Sequence, residues 1–148
     1  MSRRSRAREV VMQLLYRDDL NGIGKADFDS QFLSTRLNRN AKLVEFADTL
    51  LQGVRQKIES IDEALESTTT NWRLSRMAAT DRNIMRLAAW EILFGDTPPR
   101  VALNEAIEMS KRYGDEKSAS FVNGVLDKLM QNAKQQAKDP TKQSESVE

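Results

Sequence analysis

The sequence predicts an all-α fold, a bundle of seven helices, and three observations carry that expectation. Apolar residues recur three and four positions apart along most of the chain, the spacing that lines one face of an α-helix. Stretches containing glycine or proline interrupt that rhythm at intervals. No run of alternating apolar and polar residues, and no internal repeat, competes with it.

Taken in order, Ala7, Val10, Val11, Leu14 and Leu15 make one stripe between Arg3 and Leu20, and the Asn21-Gly22-Ile23-Gly24 stretch ends this first helix. Phe28, Phe32 and Leu33 support a short second helix from Asp27 to Leu37. Leu43, Phe46, Ala47, Leu50, Leu51, Val54, Ile58 and Ile61 carry the spacing through a third, with Gly53 tolerated inside it, the helix either continuing or breaking near Ser60. A fourth helix, marked by Ile61, Ala64 and Leu65, fades in Ser67-Thr68-Thr69-Thr70-Asn71, where hydroxyl and β-branched side chains compete with helical hydrogen bonding. From Thr80 to Phe94 almost the whole circumference is apolar except for a strip holding Arg82 and Arg86, so the fifth helix belongs at the centre. Gly95-Asp96-Thr97-Pro98-Pro99 stops it, and a sixth runs from about Val101 to Tyr113. Gly114 suits a left-handed cap, and Asp115 or Ser118 can accept backbone N–H bonds to open a seventh helix carrying Phe121, Val122, Val125, Leu126 and Leu129. One domain over residues 1–132 is therefore expected. Residues 133–148 hold too little apolar surface to offset the entropy of ordering and read as a disordered polar tail.

A chain of 148 residues can bury a core without metal or disulfide support, and cysteine is absent. Histidine is absent too, which removes the usual ligands for zinc, copper and haem and the commonest general base. With no Gly-rich phosphate loop, nucleophile elbow or zinc-helix motif, the expectation is a protein that is not an enzyme and needs no cofactor or metal. No apolar run approaches the roughly 20 residues that span a bilayer, and a soluble cytoplasmic protein is expected. A net charge of +1 means that attraction to nucleic acid must come from a local patch.

Three features stand out as candidates. Arg3, Arg4, Arg6 and Arg8 crowd the start of the first helix, where the macrodipole disfavours cations, so stability does not account for them. Guanidinium groups contact phosphate and stack on bases; the competing reading is a solvated, frayed terminus. Met12 and Tyr16 lie one turn apart, off the apolar stripe, as an interface would have them, although a small satellite core is the alternative. Phe121 sits at the edge of its helix's stripe beside Lys117, Gly124 and Lys128, where a half-exposed ring can stack on an unpaired base; equally, it can be core. Single-stranded RNA is the partner these residues suit, with the arginine tip and Phe121 converging on one external spot. Glu91 falls among apolar residues and needs a partner inside the fold, and Asp81, in the first turn of its helix, suits a capping role.

The ordered set Asp81-Arg82-Asn83-Ile84-Met85-Arg86-Leu87, Glu91-Ile92-Leu93, Asn104-Glu105-Ala106-Ile107-Glu108, Lys111-Arg112-Tyr113-Gly114 and Phe121-Val122-Asn123-Gly124-Val125-Leu126-Asp127 resembles the NusB family. The resemblance reaches from the N-terminal arginines to about Lys128 and is least distinctive between Gly22 and Asn40. It implies seven helices in two halves. It also implies transcription antitermination through boxA RNA of nascent ribosomal RNA transcripts, with NusE, a small-subunit ribosomal protein, in a complex with RNA polymerase. The family's RNA surface maps onto Arg3, Arg4, Arg6, Arg8, Lys117 and Phe121, and its NusE surface onto Met12, Tyr16, Asp81 and Arg82. Ser120 stands where relatives can carry a basic residue, which weakens that part of the patch. The alternative function is a protein-interaction adaptor without direct RNA binding.

Overall fold

The computed structural model describes residues 2–70 and 72–138. It contains α1 (Arg3–Asn21), α2 (Ala26–Arg36), α3 (Ala41–Gln56), α4 (Ile58–Ser67), α5 (Ala79–Leu93), α6 (Pro99–Tyr113) and α7 (Ser118–Lys138). A short 3-10 turn, Leu74–Arg76, leads into α5, and no strand occurs among the described residues. Helices α1 to α3 make one half and α4 to α7 the other. The fifth helix joins them, packing against α1, α3, α4, α6 and α7. That position follows from its apolar circumference: Ile84, Met85, Leu87, Ala88 and Ala89 are all buried. Among the described residues no helix is long and apolar enough to cross a membrane.

Local chemistry accounts for the helix ends. The Ser2 hydroxyl accepts the Ser5 N–H at 3.1 Å to open α1, and the Asn40 carbonyl oxygen accepts the Leu43 N–H at 3.2 Å to open α3. Gly22 closes α1 at φ 79°, a left-handed value that favours glycine. Pro99 occupies the first turn of α6, where its missing N–H costs no hydrogen bond.

Three expectations are corrected. The α3–α4 break falls at Lys57 rather than near Ser60; the apolar rhythm hides it because both helices bury faces on the same core, Val54 before the break and Ile61 after it. Gly114 is not left-handed: at φ −93° it is extended, and glycine is needed because a Cβ would run into the Ser118 side chain and the Ser110 carbonyl oxygen. Finally, α7 continues through residues 133–138, a Lys-, Gln- and Ala-rich stretch of good helix formers that extends a helix already nucleated by its buried first turns. The remainder of the expected tail, 139–148, lies outside the described residues.

Arginine–carboxylate pairs tie the helices together at points where periodicity is silent. Arg55 of α3 donates to Asp18 of α1 at 2.8 Å and to Asp29 of α2 at 2.7 Å. Arg82 donates to Asp19 at 2.8 Å and to the carbonyl oxygens of Leu74 and Met77 at 3.0 Å, and Arg86 donates twice to Asp62 of α4 at 2.8 Å. Burial pushes the Asp19 carboxyl up, but hydrogen bonds from Arg82 and Asn83 and the charges of Arg82 and Arg86 outweigh it and hold the group below its ordinary value.

Candidate nucleic-acid interface

The arginine tip divides into exposed and buried members. Arg3 and Arg4 are exposed, and the Arg4 guanidinium lies 4.7 Å from the centroid of the Phe46 ring on α3. Arg6 is half-buried and pairs with Glu9 at 3.5 Å. Arg8 is withdrawn from the surface. Its Nε and Nη2 donate to the Glu91 carboxylate at 2.9–3.1 Å, and Thr97 donates to the same carboxylate at 2.7 Å. Glu91 therefore has the internal partners its apolar surroundings require, and Arg8, buried with it, offers little surface to a strand.

The second candidate region lies at the opposite end of α5. Asp115 and Ser118 together open α7: the Asp115 carboxylate accepts the Lys117 N–H at 2.8 Å, and the Ser118 hydroxyl accepts the Asp115 N–H at 3.0 Å. This turn presents Lys117 to solvent and leaves the Phe121 ring half-buried, the half-exposed alternative rather than full core. A groove of about 580 Å³ runs past it, lined also by Trp72, Arg76, Met77 and Asp81. Trp72, 57% exposed, forms an open aromatic wall. The Asp81 side chain does not cap α5, whose N-cap is Ala78. Asp81 is 9% exposed, and its Oδ1 has no hydrogen-bond partner among the described residues. Burial pushes this carboxyl up; the neighbouring Ser118 hydroxyl opposes the shift and the Asp115 charge adds to it.

The tip and Phe121 do not meet at one spot. Arg8 holds Glu91 near the end of α5, whereas Phe121 shares its groove with Asp81 at the beginning. Arg4 stands fifteen residues before Asp19, the α1 partner of Arg82 beside Asp81, so the two regions lie about 20 Å apart along α1. From Arg6 of the tip, the α1–α6 side continues through Glu9 to Arg112 and Tyr113, with Arg112 donating to Glu9. Trp72, Arg76 and Arg112 were not singled out from sequence; Trp72 sits in an irregular segment with no periodicity to mark it as a wall of anything.

On the prospective partner face, Met12 is core, only 3% exposed, so its place off the stripe centre did not leave it on the surface. α1 is covered on two sides, by α3 and α5, which widens its buried arc. Tyr16 is 37% exposed and is followed along the same end of the molecule by exposed Leu20, Ile23 and Phe28. Arg82 is largely occupied by Asp19 and backbone carbonyls, and Asp81 faces the Phe121 groove. Among the described residues no group of carboxylates is arranged to hold a metal ion.

The profile of the NusB family matches residues 5–131. The chain belongs to the NusB family. A transcription antitermination protein NusB from Anaeromyxobacter dehalogenans is 48% identical over 128 residues, covering 86% of this chain and 90% of that one. Another from Desulfosudis oleivorans is 44% identical over 132 residues, covering 87% and 86%. Among solved structures, T. maritima NusB superposes with a TM-score of 0.77 at 34% identity, covering 88% of this chain and 92% of that one. A chain in the structure of antitermination factors NusB and NusE in complex with dsRNA gives a TM-score of 0.80 at 28% identity, covering 89% and 98%. The NusB match thus includes the start of α7 and, of the arginine tip, Arg6 and Arg8; Arg3 and Arg4 precede it.

Proposed function

We propose that this protein is a transcription antitermination factor that binds single-stranded boxA RNA of nascent ribosomal RNA transcripts together with NusE, within the RNA polymerase antitermination complex in the cytoplasm. The observation that carries this reading is the agreement of the fold with one chain in a structure of NusB and NusE in complex with dsRNA, on a chain that retains exposed arginines at one end of α5 and a half-exposed phenylalanine with a lysine at the other. The role is assembly rather than turnover. A strand stretched over about 20 Å, with its backbone against Arg3, Arg4 and Arg6 and a base against Phe121, uses both regions without requiring them to converge. Tyr16 is proposed as the NusE contact together with Asp81 and Arg82 at the start of α5, whereas Met12 lies in the core and is left out of it.

A titration with a boxA strand and a scrambled strand, each with and without NusE, tests the reading. Preferential binding of boxA, strengthened by NusE, is expected. The adaptor alternative takes its place if Tyr16→Asp abolishes NusE binding while boxA RNA never binds under any condition.

A further inference from the structure

At the end of α5 away from Phe121, a second trough of about 490 Å³ opens between α3 and the α5–α6 loop, with Arg4 of the arginine tip in its wall. Three rings line it: Phe46 of α3, Trp90 of α5, and Phe94, where α5 closes. Phe94 is 44% exposed, and the other two are half-buried. The rim is cationic. The Arg4 guanidinium lies over the Phe46 ring at 4.7 Å and the Lys57 ammonium over the Phe94 ring at 5.4 Å. Lys42, exposed one turn before Phe46 on α3, continues the same row. Of the two carboxylates in the wall, Glu105 is engaged by Ser5 at 2.8 Å and by Arg8 at 3.8 Å, which leaves the exposed Asp96. Flat apolar faces bordered by cations suit a single-stranded nucleic acid, whose bases stack while its phosphates pair. A cation over an exposed ring is a weak contact that a stacked base outcompetes, and the displaced cation is then at hand for a phosphate. An apolar peptide would cover the rings but give Arg4, Lys42 and Lys57 no anion to meet.

We propose that the RNA strand continues past the arginine tip into this trough, where a base stacks against Phe46 and Phe94 and the flanking phosphates meet Arg4 and Lys57. The site is additional to the tip and to Phe121. It accepts any base, because rings offer stacking rather than hydrogen bonds. The inference rests on the RNA-binding reading above and lengthens the bound segment in the direction away from Phe121.

The test uses the full chain and fluorescently labelled strands: boxA alone, and boxA with a short run of uridines added at one end or at the other. Wild-type protein is expected to bind one of the extended strands about tenfold more tightly than boxA alone, the scale of one stacked base. Phe94→Ala is expected to remove that gain and to leave the affinity for boxA alone unchanged. Lys57→Gln is expected to lower the salt slope of the extended strand by about 0.7. Equal binding of all three strands by wild type overturns the inference without recourse to a variant. A gain that survives Phe94→Ala, or a slope unmoved by Lys57→Gln, overturns it too. If Phe94→Ala does not fold, Lys57→Gln, a change at an exposed residue, carries the decision. Loss of NusE binding in Phe94→Ala with the gain intact also overturns it and assigns the trough to a protein partner. If no strand binds wild type, with or without NusE, the RNA-binding reading itself has failed; binding of boxA with no gain from either extension sinks only the present inference.

Discussion

Arg8 and Asp81 show how differently two charged residues of one helical face pair can be used. Arg8 was grouped with its neighbours by composition, yet it lies with Glu91 in a closed, bidentate pair that Thr97 completes. Removing one partner leaves the other charge buried and uncompensated, so Arg8→Ala is expected to lower unfolding free energy by about 3–5 kcal/mol in a denaturant titration. Asp81 is the reverse case, a carboxyl whose burial raises its proton affinity above the ordinary value of 3.8. The folded state then holds the proton more tightly than the unfolded state. Stability should accordingly fall as pH rises from 3.8 through the folded value, because ionisation becomes a cost there. The gain in melting temperature of Asp81→Asn over wild type should therefore grow with pH across that window and persist at neutral pH.

At the level of the helix, two glycines in helix interiors call for opposite expectations. Gly53 looks merely tolerated in the sequence of α3, but a Cβ there would enter the space of the Trp90 ring on α5. Gly53→Ala should therefore destabilise by about 1–3 kcal/mol, since the half-buried indole must shift to make room. Gly124 on α7 faces open space among the described residues. Gly124→Ala should stabilise by about 0.5–1 kcal/mol through helix propensity alone. Chemical denaturation of the two variants checks both signs in one experiment. Periodicity located each of these helices to within a few residues, because a buried stripe is a property of the local sequence. It missed the Lys57 break and the reach of α7 to Lys138, where the pattern either runs straight through a kink or gives way to residues that are helical without being buried.

For the whole molecule, net charge of +1 predicts a modest dependence of RNA affinity on salt. Each phosphate neutralised contributes about 0.7 to the slope of log affinity against log salt for a single strand. With Arg8 internal, contacts from Arg3, Arg4, Arg6 and Lys117 would give a slope of roughly −3. An Arg3→Ala plus Arg4→Ala variant should fold normally and reduce it by about 1.4. An unchanged affinity and slope would remove the arginine tip from the RNA surface. The separation of tip and groove along α1 also means that strands too short to span about 20 Å should engage only one of them.

The order of the helices, the central place of α5, the need of Glu91 for an internal partner and the interest of Phe121 were all legible in the residues themselves. Each depends on how apolar and polar side chains alternate along a short stretch, and an α-helix converts that directly into a face. Which arginine is a surface cation and which a buried strut, whether Met12 lies outside or in, and how far the amino end stands from the α7 turn were decided only by how helices distant in sequence pack on one another. Burial of a charge depends on what arrives from the rest of the chain, and no local spacing encodes that.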